Sequence, residues 1–158
     1  MVRVLFVCMG NICRSPTAHG VFEALVRSEG LEHLIEVDSA GTHAYHVGEL
    51  PDRRAQEVAL RRGLDLDYQR ARRVARGDME DFDYILAMDE ANLQDLRQIC
   101  PEPSLEKLSL FMSFAPHYGQ REVPDPYYGG EQGFERVFDM VEEASKGLLE
   151  VIRSRHGL

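Results

Sequence analysis

Val7-Cys8-Met9-Gly10-Asn11-Ile12-Cys13-Arg14-Ser15-Pro16 is the stretch on which the reading of this chain turns. Ahead of it runs Val2 to Val7, apolar except for Arg3, the pattern of a strand buried on both faces. Behind it, Ala18, Val21, Phe22, Leu25 and Val26 recur at three- and four-residue steps, one apolar face of a helix. Ser15 suits the N-cap of that helix, Pro16 its first position and Gly30 its stop. A short loop between strand and helix aims its backbone N–H groups and the positive end of the helix dipole at one point, and such a point binds anions. Two side chains give the anion site chemistry. Cys8 stands at the carboxyl end of the strand, in a field that favours the thiolate. Arg14 offers a planar, two-pronged donor that matches two phosphate oxygens as no lysine can.

Further strands are expected from Leu34 to Gly41, from Tyr84 to Met88 and within Leu105 to Phe111, centred on Leu108-Ser109-Leu110. Between them lie helical patterns. One starts near Pro51-Asp52, buries Ala55, Val58 and Ala59, and stops at Gly63. Asp89 caps a second, whose apolar positions include Leu93, Leu96 and Ile99. The longest follows Gly130 and carries Phe134, Val137, Phe138, Val141, Leu148 and Ile152 on one face. A short helix or turn is read at Asp78 to Asp81, and Leu64 to Gly77 and Met112 to Val123 are read as loop. Strands alternating with helices define an α/β fold of three layers, α/β/α, with a four-stranded parallel sheet in the order 2-1-3-4 and the phosphate-binding loop after the first strand. Ligands bind such sheets where the strand order reverses, outside the carboxyl ends of the strands. Cys8, Asp38-Ser39 and Asp89 all leave strands at that edge.

At 158 residues, 1–158 is read as a single domain, able to bury roughly 70% of its unfolded surface. Eighteen basic against 27 acidic residues, a net charge of −9, argue against nucleic acid or an anionic membrane as partner. No apolar run approaches the about 20 residues that span a bilayer, and Met1 to Val7 is read as a core strand, not a signal peptide. Three cysteines make no disulfide scaffold, and their odd number points to a reducing cytoplasm. His43 and His46 lack the partners of a metal site, so no metal is expected. The arginine runs at 53–54, 61–62 and 70–76 read as solvated surface, with guidance of an anionic substrate as the other reading.

The segments VCMGNICRSP, DSAGT, YILAMDEANL and DPYYGG together resemble the low-molecular-weight protein tyrosine phosphatases over essentially the whole chain. The resemblance implies hydrolysis of phosphotyrosine and other aryl phosphate monoesters through a cysteinyl-phosphate intermediate, with inorganic phosphate as product and no cofactor. Cys8 is then the nucleophile, and Arg14 with the loop Met9, Gly10, Asn11, Ile12 and Cys13 braces the phosphate oxygens. Asp125, between Pro124 and Pro126, is the expected general acid; alone it would read as an ordinary turn. Ser15 is a helix cap and, by family, a hydroxyl donor to Cys8. Asn11 tolerates a left-handed backbone and would stitch the loop, with Ser39 as partner. Asp89 reads first as a cap and second as support for the site. Cys13 is either a small buried filler or, as in the family, a reversible disulfide partner of Cys8. Tyr45, Tyr127 and Tyr128 are expected to form an aromatic slot for a phenol ring, with His46 at the rim.

Two alternatives keep part of this pattern. Arsenate reductases share the fold and loop but need further cysteines downstream; 78–99 has none and Cys100 stands alone. A phosphate-binding adaptor without turnover would need neither nucleophile nor acid. A P-loop nucleotidase is excluded by the missing Gly-Lys-Ser/Thr ending.

Overall fold

The computed structural model describes residues 1–158. Its strands are β1 (Val2–Cys8), β2 (Ile35–Gly41), β3 (Tyr84–Ala87) and β4 (Leu108–Leu110). They form one parallel sheet in the order β2-β1-β3-β4, with β1 paired to β2 from Val2–Ile35 to Cys8–Gly41. The helices are α1 (Arg14–Ser28), α2 (Arg53–Arg61), α3 (Asp78–Asp81), α4 (Glu90–Ile99) and α5 (Glu131–His156). The expected fold class and strand order hold.

The two-residue period of β1 divides the core. Val2, Val4, Phe6 and Cys8 face α1 and α5, where Phe22, Val141 and Leu148 meet them. Leu5 and Val7 face the other side, against Ile85, Leu93 and Leu96. Phe6 sits at the centre, fully buried and edge-on to Phe111 at 4.9 Å and Phe22 at 5.7 Å. A third cluster, with Ile12, Cys13, Ala55, Val58, Leu66, Phe134 and Phe138, packs α2 and the first turns of α5 against the loop after β1. The loop is therefore bolted to two helices as well as to the sheet.

Three expectations need correction. Ser15 is not the N-cap of α1: the helix begins at Arg14, Cys13 holds the cap position, and no side chain caps it. The hydroxyl of Ser15 is engaged inside the loop instead. The arginine-rich stretch is loop, but not simply solvated surface. Arg72 carbonyl oxygen accepts from Gly41 N at 2.9 Å and Gly41 oxygen accepts from Val74 N at 2.8 Å, which straps the segment along β2. Leu66, Ala71 and Val74 are buried beneath it. By contrast, α2 and α4 start as read, with Asp52 accepting from Arg54 N and Asp89 accepting from Asn92 N at the two caps. The region after β4 holds two 3-10 turns, Phe111–Phe114 and Pro116–Tyr118, where loop was expected.

Candidate active site

The carboxyl end of β1 delivers Cys8, and everything around it holds the next six residues in shape. Asn11 is the one non-glycine residue with a left-handed backbone, at φ 58°. Its amide nitrogen donates to Ser15 Oγ at 2.8 Å and Ser39 Oγ at 3.1 Å, and its Oδ1 accepts from Arg72 N at 2.9 Å. The expected Asn11–Ser39 pairing is therefore present, with two partners besides. Carbonyl oxygens of the loop are bound outward: Cys8 by Thr42 N, Met9 by His43 N and Ile12 by Asp52 N, at 2.7–3.0 Å. A Cβ on Gly41 would stand 2.7 Å from Met9 oxygen, so only glycine lets β2 approach the loop this closely.

Ser15 Oγ lies 3.1 Å from Cys8 Sγ. Arg14 is 3% exposed. Its Nη1 donates to Asp89 Oδ2 at 2.6 Å and to Val123 oxygen at 3.0 Å, and its Nη2 stands 3.8 Å from Asp125 Oδ2. Burial works against its charge, but Cys8, Asp89 and Asp125 outweigh that and hold its pKa above the ordinary arginine value. Burial pushes the Cys13 thiol up, with the charges of Asp52, Cys8 and Asp125 adding to it, so Cys13 stays protonated. All three cysteines are free.

A cavity of about 280 Å³ opens over the loop. Cys8, Met9, Gly10, Ile12, Cys13 and Arg14 form its floor, and Tyr45, His46, Asp125, Tyr127 and Tyr128 its walls. Every residue expected to attack, bind phosphate, donate a proton or form the rim lines it except Asn11 and Ser15, which brace the floor from below; Ser39 and Asp89, read as supports, lie outside it. Asp125 Oδ1 accepts from Tyr127 N at 3.0 Å, which orients its carboxyl group. Tyr127 and Tyr128 meet edge-on at 5.0 Å, and Tyr45 stacks on His43 at 5.3 Å with 12° between the planes. His46 leans over Gly10, where a Cβ would come within 3.0 Å of its ring, and its Nδ1 is 3.0 Å from Glu49.

Sequence reasoning read Asp89 as a cap and a support for the site but not its partner, and it missed two further contributors. Asp89 is a cap and equally the closest partner of Arg14. Val123 oxygen is the second anchor of that guanidinium. Arg54, held by Asp52, stacks its guanidinium over Phe134 at 4.6 Å and Tyr127 at 5.4 Å and supports the aromatic wall. The first two contacts join residues 75 and 109 positions apart, and no local pattern marks them.

A cysteine and a buried arginine at the switch point of a 2-1-3-4 parallel sheet place the molecule among α/β proteins with a phosphate-binding loop. A sequence model described as "Low molecular weight phosphotyrosine protein phosphatase" matches residues 3–156. A low molecular weight protein-tyrosine-phosphatase of Streptomyces coelicolor is 46% identical over 156 residues, covering 97% of this chain and 94% of that one. YfkJ of Bacillus subtilis, another such phosphatase, is 39% identical over the full length of both chains. The crystal structure of a protein tyrosine phosphatase from Entamoeba histolytica superposes with a TM-score of 0.93 at 41% identity, covering 99% of each chain. The chain belongs to the low molecular weight phosphotyrosine protein phosphatase family, and it is a phosphoric monoester hydrolase of the protein-tyrosine phosphatase type. None of these relatives favours the arsenate reductase alternative.

Proposed function

We propose that the chain, acting as one domain over 1–158, hydrolyses phosphotyrosine in proteins and other aryl phosphates by way of a phosphorylated Cys8. The observation that carries this is the convergence of Cys8, Arg14 and Asp125 on one aromatic-walled cleft. Cys8 Sγ attacks phosphorus in line with the tyrosyl oxygen, and the S–P bond forms as the P–O bond breaks. Arg14, already fixed by Asp89 and Val123, meets the equatorial oxygens without reorganising. Asp125 gives its proton to the leaving phenol oxygen and then takes one from the water that attacks phosphorus. That second step breaks the S–P bond and releases inorganic phosphate. Ser15 Oγ, at 3.1 Å, donates to the departing sulfur.

Tyr45, Tyr127 and Tyr128 line a slot that suits a flat phenol ring and keeps shorter side chains from the floor. Three free thiols and a mechanism that needs one of them reduced support work in a reducing compartment, the cytoplasm. A net charge of −9 argues against nucleic acid or an anionic membrane as partner. No helix is long and apolar enough to cross a membrane.

The test is turnover of p-nitrophenyl phosphate and of a phosphotyrosine peptide. Cys8→Ser abolishes both while inorganic phosphate still binds. Asp125→Ala slows substrates with poor leaving groups by about 10²–10⁴-fold and activated ones far less. Residual turnover in Cys8→Ser, or equal slowing of both substrate types in Asp125→Ala, would overturn the assignment.

A further inference from the structure

A second cleft opens beside the first, and it carries two arginines without partners. It encloses about 460 Å³, with Thr42 and His43 at one end, Arg73 and Arg76 along one wall and Asp95 and Gln98 of α4 opposite. The two arginines differ from their neighbour. Arg72 is paired with both Asp38 and Asp78 at 3.0 Å, whereas Arg73 and Arg76 are exposed and make no ion pair or side-chain hydrogen bond. Asp95, the one carboxylate in the lining, pairs with neither. In a chain with nine more acidic than basic residues, two free guanidiniums in one cleft form a local positive field.

The cleft is joined to the active site through the backbone and through a ring stack. Cys8 lies opposite Gly41 in the β1–β2 register, and Gly41 lies opposite Arg73 in a parallel bridge. Two strand spacings put the backbone of Arg73 about 10 Å from that of Cys8. His43 lines the second cleft, its N–H holds Met9 of the phosphate loop, and its ring stacks on Tyr45 of the first. One wall therefore serves both cavities. An extended peptide advances about 3.3–3.6 Å per residue, so about three residues bridge the gap.

Granting the phosphatase reading above, we propose that this cleft is a subsite for the protein substrate, in which Arg73 and Arg76 take the carboxylate of an acidic residue about three positions from the phosphotyrosine. The pairing is exposed, so it acts on selection among substrates and weakens with salt. A small aryl phosphate does not reach it.

The experiment compares phosphotyrosine peptides that carry Asp, Asn or Lys three positions before or after the phosphotyrosine, with p-nitrophenyl phosphate alongside. For the wild type, kcat/KM for an Asp peptide exceeds that for its Asn counterpart by about 3- to 10-fold, the span of two exposed ion pairs. The ratio falls to near unity in Arg73→Ala/Arg76→Ala and inverts towards the Lys peptide in Arg73→Glu/Arg76→Glu. Turnover of p-nitrophenyl phosphate stays at the wild-type level in both variants, which also reports their folding. Equal rates on Asp and Asn peptides, or a preference that survives removal of both arginines, would overturn the subsite and leave the phosphatase reading intact. Failure of the wild type to turn over p-nitrophenyl phosphate would overturn that reading itself.

Discussion

Asn11 is the residue whose replacement most directly tests how the phosphate loop is held. Its side chain makes three hydrogen bonds, and they are not equivalent. Truncation to alanine leaves the Arg72 backbone N–H without its acceptor, at about 1–3 kcal/mol for a buried donor. The hydroxyls of Ser15 and Ser39 keep other neighbours, Cys8 Sγ at 3.1 Å and His19 Nδ1 at 3.2 Å, so each lost contact costs about 0.5–1.5 kcal/mol. The sum is about 4 kcal/mol. Alanine also has to occupy φ 58°, which costs about 1–2 kcal/mol that glycine avoids. Glycine loses about 0.5–1 kcal/mol of this advantage through its freer unfolded chain. Asn11→Gly therefore remains more stable than Asn11→Ala by about 0.5–1 kcal/mol. Thermal unfolding reads both effects: the lost contacts and the backbone cost together take about 5–6 kcal/mol from Asn11→Ala, which at about 2–4 °C per kcal/mol for a chain of this size melts about 10–24 °C below the wild type, with Asn11→Gly a few degrees above Asn11→Ala. Turnover of p-nitrophenyl phosphate falls by up to about 100-fold in both, because the loop floor loses its shape. A melting point for Asn11→Ala within about 1 °C of wild type, or Asn11→Gly less stable than Asn11→Ala, would refute this account of the loop.

Asp89→Asn keeps the α4 cap but removes the charge facing Arg14 at 2.6 Å; phosphate inhibition and turnover both weaken by about tenfold, while Asp89→Ala loses about 1 kcal/mol more in urea unfolding because the cap goes as well. Gly147→Ala places a Cβ against the carbonyl oxygen of Phe114, backbone against backbone, so stability drops by about 1–3 kcal/mol with kinetics unchanged at low temperature. Cys13 has a native pKa above its unfolded one, so its contribution is fully present below the usual thiol value of 9.0 and is lost as pH rises beyond it. Cys13→Ala accordingly shows a shallower alkaline decline in melting temperature than the wild type, and an identical slope refutes the shift. Peroxide inactivates the enzyme reversibly through a Cys8–Cys13 bond, which peptide mapping detects and whose absence ends that idea.

The sheet was legible because its strands are short apolar runs, each closed by a residue with a reason to stop: Cys8, Gly41, Asp89. Periodicity carries that information locally, and strand order then follows from parallel pairing and the position of the loop. The loop that floors the candidate site was legible for the same reason, since Cys8 to Ser15 is one continuous stretch. What the sequence hid is set by separation along the chain. Ser15 looks like a cap at the level of composition, but Asn11 and Cys8 claim its hydroxyl and move the helix start back to Arg14. Arg72 looks like one more surface charge in an arginine run. Its difference from Arg73 and Arg76 lies in Asp38 and Asp78, which the fold brings beside it.

Arg14 shows why such long-range contacts matter more to the chemistry than the motif that announces it. A guanidinium that is 3% exposed has lost most of its hydration, and burial alone would disfavour its charge. Cys8 and two carboxylates restore the balance, and the carboxylates stand at different distances. Asp89, at 2.6 Å and supported by Val123 oxygen at 3.0 Å, fixes one nitrogen. Asp125, at 3.8 Å, is too far for a hydrogen bond and is instead oriented by Tyr127 N. The nearer carboxylate is thus engaged in holding the arginine, and the farther one makes no hydrogen bond to it. One loop motif with two carboxylates nearby does not by itself separate an anchor from an acid; the difference between 2.6 and 3.8 Å supports Asp89 as the anchor and, in the mechanism proposed above, Asp125 as the acid.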